Sequence, residues 1–203
     1  IQDFEVNLNC DFIDFSYSSL KCITISSYSM KLLDNFYCSS ITEITIPSTI
    51  EIICKKAFVD CYNLREVRNV SDSSLRIIYD EAFFNCTSLT EFSFPSSVEY
   101  IGSYAFKNCN SLSSLSLSEY CSFILIGKEA FYNSGVSNIT IYANRINIDS
   151  CAFKNCINLN EVEFGSNCNE LVLNDSVFAD CYNLEKVEIP TDIGIVAIND
   201  KCF

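Results

Sequence analysis

Thirteen cysteines and 26 carboxylates are the residues of this 203-residue chain with chemistry to offer, and there is no histidine to activate them. A thiol becomes a nucleophile or a metal ligand as its thiolate, which needs a base, a cation or a metal beside it. Without His, both the usual general base and the commonest metal ligand are missing. No C-x-x-C pair occurs, and Cys151 and Cys156 stand five apart, too loosely for a zinc knuckle. Acid pairs such as Asp80-Glu81 and Glu161/Glu163 have the residue types of a glycoside hydrolase. That chemistry needs two carboxylates flanking a cleft that desolvates them, whereas these recur on what reads as an open face. The expectation is therefore no catalytic residue, no metal site and no cofactor.

The cysteine spacing points instead to repetition. Cys61, Cys86, Cys109, Cys156 and Cys181 each follow a phenylalanine by three residues, and that phenylalanine closes an Ala-Phe or Val-Phe pair. Phe58, Phe83, Phe106, Phe131, Phe153, Phe178 and Phe203 are spaced by 22 to 25 residues, with Phe36 and more weakly Phe15 extending the series. Three residues past each Cys an aliphatic residue opens an L-x-x-L-x-L pattern, as in Leu112-Leu115-Leu117 and Leu184-Val187-Ile189. Its last part alternates with period two, the mark of a strand with one buried face. Pro47, Pro95 and Pro190 end three of these strands, because proline cannot donate to a ladder. A second short apolar segment follows, such as Ile50-Ile52-Ile53 or Leu171-Leu173, before the next Ala-Phe turn. One copy, Phe131-Asn133-Ser134-Val136, is a residue short. A single unit cannot bury its own apolar side chains, but stacked copies can.

The unit L-x-x-I-x-I-P-x-x-V-x-x-I-G-x-x-A-F-x-x-C, read most fully in residues 89–109, resembles the BspA-like class of leucine-rich repeats. The resemblance covers residues 35–203, and more loosely 10–34. It implies a leucine-rich-repeat solenoid: a β-rich, curved, right-handed superhelix with a parallel concave sheet, and short strands and 3₁₀ turns on the convex side. It further implies a surface or secreted protein that adheres to host proteins or cells, and it brings no catalytic motif. Cytoplasmic scaffolding or spacing is the alternative, which many unpaired thiols would tolerate. Residues 1–34 read as an N-terminal cap or degenerate repeats, and 35–203 as repeats cut off at the C-terminus. Either a longer array or end-to-end self-association would cover that end.

A net charge of −13 with no basic cluster argues against nucleic acid. No apolar run is long enough to insert into a membrane. The outward x positions of the strands form two columns. One holds Cys22, Glu43, Glu66, Glu91, Ser114, Asn138, Glu161 and Lys186; the other holds Thr24, Thr45, Arg68, Ser93, Ser116, Thr140, Glu163 and Glu188. These columns are acidic toward both ends and rich in Ser, Thr and Asn between. The candidate partner-binding residues are Glu43, Glu66, Arg68, Glu91, Glu161, Glu163, Lys186 and Glu188, for a protein ligand on the concave face. A plain solvated sheet face is the other reading, since aromatic anchors are scarce there. The five column cysteines read as small buried residues lining a turn, each a weak donor to backbone, with a disulfide framework as the alternative. Cys10, Cys22, Cys38, Cys54, Cys121, Cys151, Cys168 and Cys202 fall in other columns, where one or two bridges stay open. Four N-x-[ST] sequons, at Asn69, Asn85, Asn138 and Asn174, are about the number that composition yields by chance.

Overall fold

A computed structural model describes residues 3–7, 22–26, 32–34, 36, 40–69 and 72–203. Strands are numbered in chain order. On one face lie β1 (Asp3–Asn7), β2 (Cys22–Ser26), β4 (Glu43–Ile46), β6 (Glu66–Asn69) and β8 (Glu91–Phe92), all parallel and each hydrogen-bonded to the next. On the second face lie β3 (Leu32–Leu33), β5 (Ile52–Ile53), β7 (Ile77–Ile78) and β9 (Tyr100–Ile101), also parallel. Two long strands, β10 (Ser114–Ile126) and β11 (Asn138–Ile148), run from the first face across to the second. After them, β12 (Glu161–Phe164) and β14 (Lys186–Glu188) continue the first face, and β13 (Glu170–Leu173) and β15 (Ile195–Ile198) the second. There is no helix among the described residues. The chain is a parallel β-solenoid, its strands supplied by the period-two segments of each repeat.

The core runs down the axis as columns of identical position. Inward side chains such as Ile44, Val67, Leu115, Ile139 and Val162 are buried on the first face, and Ile53, Ile78, Ile101, Ile126 and Ile148 on the second. The turn between the faces carries the strongest column. Phe36, Phe58, Phe83, Phe106, Phe131, Phe153, Phe178 and Phe203 stack ring on ring, with centroids 4.7 to 5.6 Å apart and planes within 15°. Each ring buries its faces against its neighbours, so the apolar area hidden per coil is large and the offset-stacked geometry adds to it. Backbone ties the same column: each phenylalanine N–H from Phe36 to Phe178 donates to the carbonyl of the residue before the next phenylalanine, at 2.6 to 2.9 Å.

These turns differ from the expected 3₁₀ form. Two positions per coil take a left-handed backbone, one two residues before the phenylalanine and one two residues after it. The first is filled by Lys56, Glu81, Tyr104, Glu129, Cys151, Ser176 and Lys201, with φ between 52° and 62°. An L-residue there carries a strain of roughly 1–2 kcal/mol. It is held by inter-coil bonds such as Glu81 N–H to the Ser103 carbonyl at 2.9 Å. The second position is Asp60, Asn85, Asn108, Asn133, Asn155 and Asp180, the residue types that best tolerate this conformation. Their side chains form a ladder. Asn85 donates to Asp60, Asn108 to Asn85, Asn133 to Asn108 and Asn155 to Asn133, at 2.8 to 3.0 Å. A continuous 3₁₀ turn does not form because only every second N–H, such as those of Ala57 and Val59, bonds back three residues, while the N–H groups of Lys56, Phe58 and Asp60 go to the neighbouring coil.

Phe106→Ala removes a ring from the middle of the stack and leaves a void between two others, so it should lower unfolding free energy by about 3–5 kcal/mol in denaturant titration. Asn108→Ala cuts the ladder on both sides and replaces asparagine with a residue that tolerates the left-handed region less well. The expected loss is about 2 kcal/mol by the same measurement, with no change of fold by circular dichroism.

Candidate functional site

The cysteine column sits directly behind the asparagine ladder. Cys61, Cys86, Cys109 and Cys156 are fully buried, Cys181 is half-buried, and all are free thiols. Each thiol donates to a phenylalanine carbonyl of the preceding coil: Cys61 to Phe36, Cys86 to Phe58, Cys109 to Phe83, Cys156 to Phe131 and Cys181 to Phe153, at 2.9 to 3.2 Å. The short coil puts Ser134 in the same column, buried, with its hydroxyl 3.3 Å from the Cys156 sulfur. A small side chain with one donor is what the position requires. Burial pushes the Cys86 and Cys109 thiols well above their ordinary range, and the hydrogen bond with Cys156, then burial, pushes Cys181 up. These sulfurs are poor nucleophiles. Outside the column, Cys121, Cys168 and Cys202 are buried and Cys54 and Cys151 half-buried, all free. Cys121 and Cys168 take positions in the turn that ends the first-face strand, where Ile50, Leu75 and Val98 stand in other coils. Cys10 and Cys38 lie outside the described residues, as does Phe15. No cluster of three or more metal-ligating residues occurs among the described residues.

The outward columns of the first face are assembled in register. Glu43 pairs with Glu66, Glu66 with Glu91, Ser114 with Asn138, Asn138 with Glu161 and Glu161 with Lys186. Beside them run Thr45 with Arg68, Ser116 with Thr140, Thr140 with Glu163 and Glu163 with Glu188. Strand spacing brings like charges within about 5 Å, which is repulsive unless a cation intervenes. At one end Arg68 intervenes, bound to Glu66 and 3.7 Å from Glu43. At the other, Lys186 is 2.7 Å from both Glu161 and Glu188, and the Tyr142 hydroxyl donates to Glu163. The hydrogen bond to Glu66 raises the Arg68 pKa, and that to Glu161 raises Lys186. The Arg68 and Lys186 pairs are solvent-exposed and add little to stability. Glu91 alone of the six acidic candidates makes no hydrogen bond or ion pair among the described residues, feeling Arg68 only through longer-range attraction.

Sequence reasoning missed one feature of this face. The first-face ladder stops at β8 and restarts at β10, with no paired register between them. This coil brings two rings inward, Phe92 and Phe94, where the coil of β12 brings one, Phe164 beside Val162, and keeps its ladder. Their rings lie 4.4 Å apart, Phe92 edge-on to Phe83 and Phe106 at 5.2 and 5.1 Å, Phe94 tilted on Phe106 at 5.4 Å. The break in the ladder coincides with this pair of packed rings. The signal was present as the Phe92-x-Phe94-Pro95 run, and went unused because phenylalanine also reads as an ordinary inward residue. One hollow lies in the seam and a second adjoins it, between the coils of β6 and β8. The first, of about 290 Å³, is lined by Thr90, Glu91, Phe92, Ser93, Ser113 and Ser114. The other, of about 340 Å³, is lined by Asn69, Asp72, Ser73, Ser93, Phe94, Pro95 and Ser96.

The sequon asparagines divide by position. Asn85 is locked in the ladder, Asn69 donates to the Ser93 carbonyl, and Asn174 bonds Asn147 and Asn199 at 3.3 Å. Asn138 is exposed on the first face. At the last coil Tyr182, Ile195 and Phe203 are 80%, 58% and 59% exposed. No helix among the described residues is long and apolar enough to cross a membrane.

Parallel coils of this length, with one strand per coil on a first face and short strands opposite, define a leucine-rich-repeat solenoid. The chain belongs to the BspA-type family: the BspA type leucine rich repeat region matches at residues 9–75, 33–125 and 124–203. It is similar to the leucine rich repeat protein of T. pallidum, at 26% identity over 81% of this chain and 78% of that one, with a TM-score of 0.65. The pneumococcal vaccine antigen PcpA has the same fold at 18% identity and a TM-score of 0.50; 94% of this chain covers 51% of that one, about half its length. No curated protein matches the sequence.

Because the column thiols are buried and hydrogen-bonded, a disulfide reagent added to native protein should modify Cys54 and Cys151 well before Cys61, Cys86, Cys109 or Cys156, as read by peptide mass mapping. The raised thiol pKa values also set a pH window. Their contribution to stability is intact below the ordinary thiol value of 9.0 and is lost as pH rises above it. Unfolding midpoints should therefore fall from pH 9 upward, and Cys109→Ser, which copies Ser134, should flatten that fall while keeping the fold.

Proposed function

We propose that this chain is a non-enzymatic binding module of a surface or secreted leucine-rich-repeat protein, engaging a protein partner through the outward columns of its first sheet. We further propose that residues 1–34 are degenerate opening repeats, since β1 and β2 join the first sheet in register. The observation that carries the reading is the in-register assembly of Glu43, Glu66, Arg68 and Glu91 on one side of the seam and of Glu161, Glu163, Lys186 and Glu188 on the other, all outward on the first face. Membership of the BspA-type family and the fold shared with a vaccine antigen support the surface location. A pure spacer would share the fold, and would bind nothing through this face.

The test is surface plasmon resonance against a panel of purified extracellular-matrix proteins, with Glu43→Lys, Glu66→Lys and Glu161→Lys beside the parent chain. Reversing rim charges acts mainly on association, so the on-rate for a basic partner should drop about tenfold and its salt dependence should weaken. Melting temperatures of the three variants serve as the folding control. Binding unchanged in all three would remove the first-sheet columns from the interface.

A further inference from the structure

The seam between β8 and β10 combines features that the charged ends of the face lack. It interrupts the ladder at mid-face and holds a hollow of about 290 Å³, which adjoins through Ser93 a second of about 340 Å³ between the coils of β6 and β8. Pockets for drug-sized ligands begin near 300 Å³, so each hollow has the size of one small ring rather than of an extended chain. Inside them the groups without a partner among the described residues are the Glu91 and Asp72 carboxylates and the hydroxyls of Ser93, Ser114 and Ser96. By contrast, Thr90, Ser113 and Asn69 spend their side chains on backbone carbonyls and so hold the rim in shape. Phe92 and Phe94 line the two hollows, and no Lys or Arg does.

Those groups decide among ligand classes. An anion meets only carboxylates and a chain of net charge −13. An apolar ligand would strand the hydroxyls. A lone cation would use the carboxylates but none of the hydroxyl donors. Vicinal hydroxyls on a saturated ring use all of them, because each sugar hydroxyl both donates and accepts. A carboxylate takes two adjacent O–H groups, serine hydroxyls answer either polarity, and the C–H face of the ring lies on phenyl. We propose that this seam is a site for a neutral saccharide, two rings long, with one ring at Glu91, Ser93 and Ser114 and the next at Asp72, Ser96 and Phe94. The proposal shares its face with the protein-partner reading and deepens it, the sugar being carried on that partner, yet it uses none of the ion-paired residues.

The experiment is an amide chemical-shift titration of the intact chain with lactose, chitobiose and methyl α-mannoside as neutral probes. Glucosamine serves as a cationic probe and N-acetylneuraminic acid as an anionic one. An open site of this kind binds weakly, so concentrations reach about 50 mM, and a dissociation constant on the order of 1 mM is expected. The supporting result is a saturable shift at the Glu91, Ser93 and Ser114 amides with at least one neutral disaccharide, none with the anion, and weakening of about fivefold in Glu91→Ala and in Ser114→Val. No saturable shift at those amides with any neutral probe overturns the proposal, and so does a response to glucosamine alone. Insensitivity to both seam variants overturns it too. Glu43→Lys and Glu161→Lys should leave the titration unchanged. Loss of protein-partner binding in those two with saccharide shifts intact, or the reverse, tells the failure of one reading from the failure of the other.

Discussion

Everything in this molecule depends on the bond between a phenylalanine N–H and the carbonyl that precedes the next phenylalanine. It fixes the vertical distance from coil to coil at the point where the chain reverses, and the ring column, the thiol column and the asparagine ladder all inherit that spacing. The turn that permits the bond requires two left-handed residues per coil. The strain is tolerated because neighbouring coils supply hydrogen bonds that an isolated coil could not make. Stability is thus a property of neighbours rather than of units, as expected for a one-dimensional array.

The arrangement was legible in the sequence wherever a column is chemically uniform. Ala-Phe pairs, the Cys three residues later and the alternating aliphatics each repeat a type, and each became a ladder. The left-handed column before the phenylalanine was invisible, since Lys56, Glu81, Tyr104 and Ser176 share no chemistry; what they share is backbone geometry imposed by the coil above. The asparagine column after it could have been read, and its residue types alone would have argued against a 3₁₀ turn. The short fourth copy keeps every column because its missing residue falls at the exposed bend between the thiol and first-strand columns. There Gly135 lies so close to the Asn110 carbonyl that an added β-carbon would stand 2.1 Å from its oxygen.

The outward face behaves differently from the core. Its register follows the repeat within each block of strands, from Cys22 to Glu91 and from Ser114 to Glu188, and is lost between them. Its electrostatics did not follow, because which acid finds a cation depends on side-chain reach: Arg68 spans two coils and leaves Glu91 out, and Lys186 bridges Glu161 and Glu188. Nor did the seam follow, since it coincides with a pair of rings in the layer beneath rather than with any residue on the surface. Function on such a scaffold lies where the repeat is imperfect, and imperfections are the part that periodicity cannot forecast.

The free thiols carry a consequence for how the chain comes to exist. At least ten of its thirteen cysteines end as thiols, most of them in the interior, and several serve as donors to carbonyls of the coil before. Before the coils stack, those same sulfurs lie exposed along a flexible polymer, where any pair can meet. Oxidation at that stage would join positions that the finished array keeps apart, and would remove the protons that the carbonyls need. Stacking and oxidation are therefore in competition while the chain folds, and each coil that closes withdraws one more sulfur from that contest.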